Sequence, residues 1–596
     1  MKTRHQTAFQ AGYALLTALI FASVSIIILA TTLSWTSGSS RVTERNNAYN
    51  RAVSAAEASV ECVIARMDRD FLNHSIDYNN LTPYRLTVPT TYMPSGWPLD
   101  YQFTDTNNVV DHTTVIGGVQ SVQTNVDPQL PGLYGIVFPA RVASFAKRLG
   151  TPAYNVAAGV QQDISLVIIP IFQFEAFYSL DLEINPGPQM QITGKVHGNA
   201  NMFLAPQTGL EFVDGVEAVG TVYYDRMTND PAYGSGKVMP VFDLPPHAAA
   251  SGADSMTLPI GTNNAPSEVV KILDVPPAGE DPLSALGAAR LYNQADLIVT
   301  TFPNGLVSVM AGLWDLKTAV PPDLTNGGYS FITTTNTFFD QRENKSALVT
   351  DLDVGAFNKW LTNTTPTGGA ALNIAKKTKF GTNATPAGLN SIYIDDRRAG
   401  STTSFAAVRV WDGQFLPPDG LTVSTARPIY VMGNYNSPTA TLGTLNTANT
   451  KPAALMGDAI SVLSGGWVDN NSNKGASGTR TAMDDTVNAA FLAGIVETTM
   501  VGGVKHYSGG LENFPRFLED WHANTFTYNG SMVVMFPSRF ATSWWVGPSG
   551  TTYYQAPRRN WAFDKNYLAS QKLPPNTPGV LKLVRGQWTT IAAASP

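Results

Sequence analysis

The sequence has one cysteine, few charges and none of the common catalytic motifs. Cys62 is alone among 596 residues, so an intramolecular disulfide and a multi-cysteine metal site are both excluded. Charged residues make up 14% of the chain, and 39 basic residues against 45 acidic ones give a net charge of −6. This balance does not favour a nucleic-acid partner. The sequence contains no P-loop, G-x-S-x-G or H-E-x-x-H motif, so we expect no enzyme activity and no cofactor.

One long uncharged run lies near the N-terminus. Residues 13–33 are mostly Leu, Ile, Ala and Val, and the run is long enough to cross a bilayer as a helix. The basic residues Lys2 and Arg4 precede it, which predicts that the chain after the span lies outside the cytoplasm. We therefore expect a single span in the cytoplasmic membrane and a large periplasmic or cell-surface domain.

A second helical pattern follows the polar segment 34–40. Apolar residues recur in steps of three and four, which predicts an apolar stripe along one helix face: Tyr49, Val53, Ala56, Val60, Val63, Met67 and Phe71. We predict one helix from Tyr13 to Leu72, about 90 Å long at 1.5 Å per residue.

These N-terminal residues resemble those of PilX-type minor pilins and type II secretion pseudopilins. The similarity lies in a basic leader ending at Gly12, in Ala14-Leu15-Leu16, and in the segment Arg51–Ala58, Arg-Ala-Val-Ser-Ala-Ala-Glu-Ala. It implies that a prepilin peptidase cuts between Gly12 and Tyr13, and that the helix then packs with other pilin subunits on an assembly platform.

The resemblance is incomplete at the fifth mature position. Major pilins carry Glu there, whereas this chain has Thr17. In lacking this Glu, the chain resembles the tip subunit of a pseudopilus, which has no subunit above it to pair with. A plain membrane anchor and a cleaved secretory signal are the alternatives, although Ala30-Thr31-Thr32 is a poor signal-peptidase site.

The rest of the chain predicts a mainly β protein in two parts. Residues 73–170 contain three strand candidates that would cover the helix stripe: Leu133–Phe138, Val142–Leu149 and Ala157–Ile169. Residues 171–596 read as a large β-rich head of short alternating strands, either a β-solenoid or a sandwich, and no fixed repeat length fits them. A short helix is expected at Val354–Leu361, and another at Arg516–Asp520, with Arg516 pairing with Glu519 or Asp520. The predicted organisation is a leader at 1–12, a helix at 13–72, a small β domain at 73–170 and a head at 171–596.

The segment 338–578 carries a second resemblance. Its motifs include Ala407-Val-Arg-Val-Trp-Asp-Gly413, Pro428-Ile-Tyr-Val-Met-Gly-Asn-Tyr-Asn436 and Gly509-Gly-Leu-Glu-Asn-Phe-Pro515, which look like the large exported domain behind PilX-type N-termini. The resemblance implies a right-handed β-helix and supplies no chemistry. We expect Asn434, Asn436 and Asn513 to cap exposed backbone at the corners of a solenoid.

Several residue sets invite a binding or catalytic interpretation, although structural roles are favoured for each. Carboxylates for polysaccharide hydrolysis are suggested by Asp395-Asp396, Asp484-Asp485 and His506. A calcium loop is suggested by Asp351, Asp353 and Gly355, but the loop lacks its third oxygen ligand and its terminal Glu. The histidines His197, His247, His506 and His522 lack metal-ligand spacing, so we expect no metal site. Sugar platforms are suggested by Trp544-Trp545 and Tyr553-Tyr554.

Two functions of different classes are compatible with these patterns. The first is a structural minor-pilin or pseudopilin-like subunit of a type IV pilus or type II secretion-like filament, at low copy or at the tip, which presents a β-rich head. The second is a membrane-anchored polysaccharide-binding or polysaccharide-degrading β-helix protein, whose head takes a glycan or another surface ligand.

Overall fold

The computed structural model gives a mainly β protein with one long N-terminal helix. It describes residues 10–73, 75–92, 100–126, 130–150, 156–245, 247–311, 318–320, 322, 328–362, 389–475, 478–546 and 553–592. The leader predicted at 1–12 lies outside the described residues except for its last three.

The helix α1 (Gln10–Leu72) confirms the predicted single helix and is about 95 Å long at 1.5 Å per residue. It continues through the polar segment 34–40, where the hydroxyl groups of Thr36 and Thr43 donate to the carbonyls of Thr32 (2.7 Å) and Ser39 (3.0 Å) one turn earlier. The shorter helices are α2 (Pro89–Tyr92), α3 (Pro266–Val269), α4 (Ala285–Ala289), α5 (Leu291–Gln294) and α6 (Val354–Thr362). The last of these confirms the helix predicted at Val354–Leu361.

The strands follow one another along the chain after α2. The first are β1 (Tyr101–Thr104), β2 (Thr114–Gly117), β3 (Ser121–Thr124), β4 (Tyr134–Arg148), β5 (Ala157–Pro170), β6 (Ala176–Tyr178), β7 (Leu182–Ile184), β8 (Met190–Ile192), β9 (Val196–Gly198), β10 (Met202–Leu204), β11 (Leu210–Phe212), β12 (Val216–Ala218), β13 (Val222–Tyr223), β14 (Val241–Phe242) and β15 (Ala250–Ser251). Next come β16 (Leu297–Thr301), β17 (Val307–Ala311), β18 (Thr318–Val320), β19 (Ile332–Thr333), β20 (Thr337–Asp340), β21 (Lys345–Asp353), β22 (Ser391–Asp396), β23 (Ser404–Trp411), β24 (Leu421–Ser424) and β25 (Ile429–Met432). The last are β26 (Ala453–Gly457), β27 (Ile460–Leu463), β28 (Asp485–Ala493), β29 (Thr499–Val501), β30 (Val504–His506), β31 (Arg516–Phe517), β32 (Thr525–Val534), β33 (Arg558–Phe563) and β34 (Gly579–Ile591).

An antiparallel sheet lies against the second half of α1. Its order is β1-β4-β5-β34, and β2 and β3 also pair with β4. Two of the predicted strands, Leu133–Phe138 and Val142–Leu149, form the single long strand β4. The sheet also contains the C-terminal strand β34, which pairs with β5. The small β domain predicted at 73–170 therefore lacks one of its strands, because residues 579–591 return from the head region to this sheet.

The chain between β6 and β15 forms parallel stacks with a regular step. Consecutive strands make up triplets: β7-β8-β9, then β10-β11-β12, then β13-β14-β15, which we call the terminal triplet. Leu182 pairs with Met202, Met190 with Leu210, and Val196 with Val216, a step of 20 residues in each case. Longer loops between the strands of the terminal triplet interrupt this 20-residue spacing. This 20-residue repeat lies in the region for which we predicted no fixed repeat length.

The rest of the head forms two larger sheets of mostly parallel strands. One has the order β15-β12-β9-β6-β32-β28-β26-β24-β22-β16-β17-β18, with β33 also on β32. The other has the order β19-β21-β23-β25-β27-β31, with β20 also on β21. Successive strands in the first sheet align Ile392, Val423, Leu455, Phe491 and Met532, which are separated by 31, 32, 36 and 41 residues. These unequal steps explain why no single repeat length fits the sequence.

Buried asparagines cross-link neighbouring strands of the head. The Nδ2 group of Asn488 donates to the carbonyl of Asn436 (2.9 Å), and Asn529 donates to Oδ1 of Asn488 (2.6 Å). Asn436, with a φ of 52°, also donates to the carbonyl of Lys451 (2.7 Å). Asn434 accepts from the amide of Thr486 at 2.9 Å. Asn434 and Asn436 thus bond backbone groups as predicted, but the prediction of exposed backbone is wrong for Asn436, which is buried.

One local prediction is wrong. Residues 516–517 form the strand β31 and not the start of a helix. Arg516 pairs with Glu343 (2.8 Å) and not with Glu519 or Asp520, and Glu519 instead accepts from the hydroxyl of Ser464 (2.8 Å). Parallel pairing with β27 decides the conformation here, because the neighbouring strand supplies hydrogen bonds that the local sequence does not reveal.

Candidate assembly interface

The first half of α1 is not packed against any part of the chain that the structure describes. Residues 13–47 are exposed, and they include large apolar side chains such as Phe21 (73% exposed) and Trp35 (76% exposed). The mean hydropathy of this part reaches 2.5, so by length and composition the helix can cross a membrane. An exposed apolar helix of this size needs lipid or other helices around it.

The predicted processing site lies near the start of this exposed half. The bond between Gly12 and Tyr13 lies within helical backbone, because α1 begins at Gln10. The hydroxyl of Thr17 donates to the carbonyls of Tyr13 (2.8 Å) and Ala14 (3.1 Å). Thr17 is thus satisfied within its own helix and offers no charge to a neighbour. Cleavage at Gly12 and the role of Thr17 stay predictions.

The second half of α1 is docked on the antiparallel sheet through the predicted stripe. The buried positions are Ala52, Ala55, Ala56, Ser59, Val60, Val63, Ile64, Met67 and Phe71. They pack with Val142, Val160 and Leu166 of the sheet and with Leu581 of β34. Small side chains at Ala55, Ala56 and Ser59 allow close approach, and the buried hydroxyl of Ser144 donates to that of Ser59 at 2.9 Å.

Polar contacts hold the end of α1 in place. The Arg66 guanidinium donates to the hydroxyl of Thr87 (2.8 Å) and lies 5.1 Å from the ring centre of Tyr84. The Tyr84 hydroxyl donates to Asp70 (2.9 Å). On the far side, Arg585 of β34 forms a two-bond ion pair with Glu61 (2.6 and 2.8 Å). Both partners are about half exposed, so this pair contributes only about 0–1 kcal/mol and serves mainly to orient the strand.

A groove of about 440 Å³ separates the end of α1 from β34. Asp68 and Leu72 form one wall, the segment 581–585 the other, and Asp254, Ser255 and Thr257 close one end. Partial burial raises the pKa of the Asp68 carboxyl above its usual value, with a smaller opposing effect from Arg585. The groove adjoins the docked half of the helix.

The structure separates the predicted pairs of catalytic carboxylates. Asp484 is exposed and accepts from the amide of Thr525 (2.7 Å), whereas Asp485 is buried and accepts from the amide of Gly465 (2.9 Å). Burial raises the pKa of Asp485 to about 8. Adjacent strand residues point to opposite faces, as expected. The geometry therefore does not aim these two acids at one bond.

The other predicted catalytic residues also have local partners. Asp395 pairs with Arg397 (2.6 Å), and Asp396 pairs with Arg398 (2.5 Å) in a fully buried position. The ring of His506 stacks on Trp544 with 3.6 Å between ring centres. Each group thus has a packing or pairing role.

The residues of the suggested calcium loop are also divided. Asp351 is buried and pairs with Arg409 at 2.6 Å. Asp353 accepts from the amide of Ala356 (2.8 Å) at the start of α6, and the carboxyl of Asp412 lies next to Gly355. Arg409 also pairs with Asp469 (2.6 Å). This buried arginine between two aspartates was not found from the sequence, because its partners lie 58 and 60 residues away.

The histidines are dispersed over the head. His197 is buried between Glu217 (2.7 Å) and Asn199 (3.0 Å), whereas His247 bonds to the carbonyl of Phe242 (2.8 Å) and His522 to Asp520 (3.0 Å). Within the described ranges, no group of three His, Cys, Asp or Glu side chains is arranged to hold a metal ion.

Two of the four suggested sugar-platform rings are buried, and the other two are half-buried. Tyr553 and Tyr554 are 6% and 2% exposed, and the Tyr554 hydroxyl accepts from the indole of Trp545 at 2.8 Å. Tyr553 bonds to the backbone of Val546 (3.0 Å). These rings lie in the core of the head, whereas Trp544 is half-buried under His506.

No family model and no curated protein matches this chain. Among solved structures, the competence-associated pilin ComZ from Thermus thermophilus aligns with 91% of this chain and 97% of its own length, with 9% identical residues and a TM-score of 0.23. This TM-score is too low to indicate a function, so the function proposed below rests on the contacts within this chain.

Proposed function

We propose that this protein is a structural minor-pilin or pseudopilin-like subunit of a type IV pilus or type II secretion-like filament. The observation that carries the proposal is the division of α1 into an exposed apolar half and a half docked on an antiparallel sheet. A signal peptide would be removed, and a plain anchor has no need of a second helical half rigidly fixed to a sheet. A filament subunit needs both, because the free half packs with other subunits while the docked half fixes the head.

The head is, in this proposal, a β-solenoid of the right-handed β-helix type. The parallel stacks and the 20-residue step between triplets support it, since each strand pairs with the equivalent strand of the next level. Its asparagine cross-links are what stacked turns require, because buried turn backbone must find partners. The head lies in the periplasm or at the cell surface, because Lys2 and Arg4 precede the span.

The subunit acts without catalysis or cofactor in this proposal. The carboxylates that suggested hydrolysis are engaged by separate partners, and two of the four aromatic rings that suggested sugar binding are buried. Its partners are other pilin-like subunits, the assembly platform and a prepilin peptidase.

Sequencing of the mature N-terminus tests the proposal. Protein extracted from membranes is expected to begin at Tyr13, and Gly12→Val is expected to leave an uncut precursor. The matched control is Ala18→Val, which adds a similar bulk within the span and is expected to leave cleavage unchanged. An intact Met1, or a start beyond Ala30, would contradict the pilin-like assignment.

Copy number tests the placement at the tip. An unpaired N-terminal amine is costly in an apolar environment, and Thr17 offers no charge to the amine of a neighbour. We therefore expect quantitative mass spectrometry of purified filaments to find this chain far below the main subunit. An amount comparable to the main subunit along the shaft would overturn the tip placement while leaving the subunit assignment intact.

A further inference from the structure

An apolar row bounded by opposite charges lies on the outside of the terminal triplet. The segment 237–243 reads Lys-Val-Met-Pro-Val-Phe-Asp and contains β14. Met239 is 64% exposed and Val241 is 58% exposed. β14 is the last strand of its sheet, which has the order β14-β11-β8.

From Met239 to Asp243, side chains alternate between the outer and the inner side as they do on a strand. Pro240 is buried, and Phe242 stacks on Phe212 with 5.1 Å between ring centres, so these residues face inward. Lys237, Met239, Val241 and Asp243 occupy the alternate positions on the outer side. We call these four residues the outer row.

The outer row is complementary to itself when one copy is turned around. If two rows pack antiparallel about an axis beside Pro240, Lys237 faces Asp243 of the second copy, and Met239 faces Val241 of the second copy. Two Lys237–Asp243 pairs then form across the axis and the apolar side chains meet in the middle, which is the self-complementarity that a two-fold contact requires. We propose that the outer row is a homotypic interface and that its occupant is a second copy of this chain.

The size of the row makes the contact a weak one. Its two central side chains, Met239 and Val241, are apolar, and its two end side chains are charged. Its four side chains expose on the order of 350 Å² per copy, so a pair buries at most about 700 Å², which is below the range for stable specific contacts. Two copies held close together by their membrane helices would pair far more readily than free copies, because tethering raises their effective concentration.

Lys237 has a competing partner within its own chain. Its ammonium group forms an ion pair with Asp225, and this hydrogen bond lowers the pKa of the Asp225 carboxyl. Both side chains are partly exposed, so the pair is weak and leaves Lys237 able to bridge to a second copy. Asp243 has its backbone amide bonded to the carbonyl of Phe212, which fixes the backbone at the end of the row.

Disulfide cross-linking of the full-length chain in detergent tests the interface. Cys62→Ser removes the native thiol, and one population then carries Met239→Cys while another carries Val241→Cys. Mixing them under mild oxidation is expected to give a disulfide-linked dimer much faster than a control population with Leu283→Cys, an equally exposed position remote from the row in sequence (68% exposed). Association through α1 alone would link all of these variants at similar rates, and that result would overturn the proposal.

Charge exchange identifies the partner as a second copy. Lys237→Glu and Asp243→Lys, each made in both populations, set like charges against each other twice and are expected to slow cross-linking about tenfold. The double variant Lys237→Glu/Asp243→Lys restores opposite charges across the axis, so its rate is expected to recover. Asp225→Asn removes the competing pair and is expected to keep or raise the rate. Failure of the double variant to recover, with its circular dichroism unchanged, would overturn the two-fold arrangement.

Discussion

Leu581 lies in β34 and packs against the N-terminal helix α1. Shortening its side chain tests whether β34 stabilises the antiparallel sheet on which α1 docks, which we call the helix-bearing sheet. The side chain is 3% exposed and lies in the same core cluster as Val60, Val63 and Met67 of α1. Its amide also donates to the carbonyl of Thr257 at 2.7 Å, so the backbone is fixed and cannot close a cavity easily. Leu581→Ala should therefore leave a void under the docked half of the helix.

The expected loss is about 2–5 kcal/mol, the range for removing a buried leucine side chain. At about 1.4 kcal/mol for each factor of ten, the docked half of α1 should open about 30- to 4,000-fold more often. Hydrogen exchange read by mass spectrometry on peptides from residues 55–72 measures this opening directly. The matched control is Thr590→Ala on the same strand, where the side chain is exposed and the expected effect is small.

The result that would refute this reasoning is unchanged exchange at residues 55–72 together with faster exchange in the head. Such a pattern would mean that β34 stabilises the head and not the helix-bearing sheet. Loss of protection in both regions would instead agree with the structure, because Val580, next to Leu581, lies in a core that also holds Ile169 and Phe172.

Two further predictions concern the head. Burial raises the pKa of four glutamates to about 7 and that of Asp485 to about 8, the glutamates being Glu175, Glu183, Glu512 and Glu519. The folded head then holds protons that the unfolded chain releases above about pH 4–5, so the free energy of unfolding should fall as pH rises from about 5 to about 8. Thermal melting should show a lower Tm at pH 8.5 than at pH 5.5, and Asp485→Asn should flatten this dependence; a Tm that rises with pH would contradict it. Asn488→Ala removes two side-chain bonds and leaves the Asn436 carbonyl and the Asn529 amide group with fewer partners, at a cost of about 2–4 kcal/mol in urea unfolding. The exposed Asn473 is the control, and equal losses for the two alanine variants would contradict the bonding role.

The long helix and its stripe could be predicted because both signals are local. An uncharged run and a step of three and four residues depend only on neighbours along one helix. The docked positions Val60, Val63, Met67 and Phe71 are all buried as the pattern predicts. Many short strands of the head were also predicted, since alternation and flanking Gly, Pro and Asn are local as well.

Pairing between distant residues could not be predicted. β6 stacks on β32, with Ala176 aligned with Met532, so the chain begins one stack in the middle and completes it some 350 residues later. Single-sequence patterns hold no information about such contacts. The same limit explains Arg516, whose partner Glu343 precedes it by 173 residues, whereas the nearer Glu519 and Asp520 look equally suitable in sequence.

The position at which the head is inserted has a mechanical consequence. β5 ends at Pro170 and β34 begins at Gly579; these two residues are register partners, and the amide of Ile171 donates to the carbonyl of Pro578 at 3.0 Å. The chain therefore leaves the helix-bearing sheet and returns to it side by side, through two hydrogen-bonded strands. A core that includes Val167, Phe172 and Val580 spans the junction. A head held by two paired strands and a shared core cannot swing as it would on a single linker, so a force on the head is transmitted through β5 and β34 to the docked half of α1. In a filament subunit, this arrangement fixes the direction in which the head, and with it the outer row, is presented.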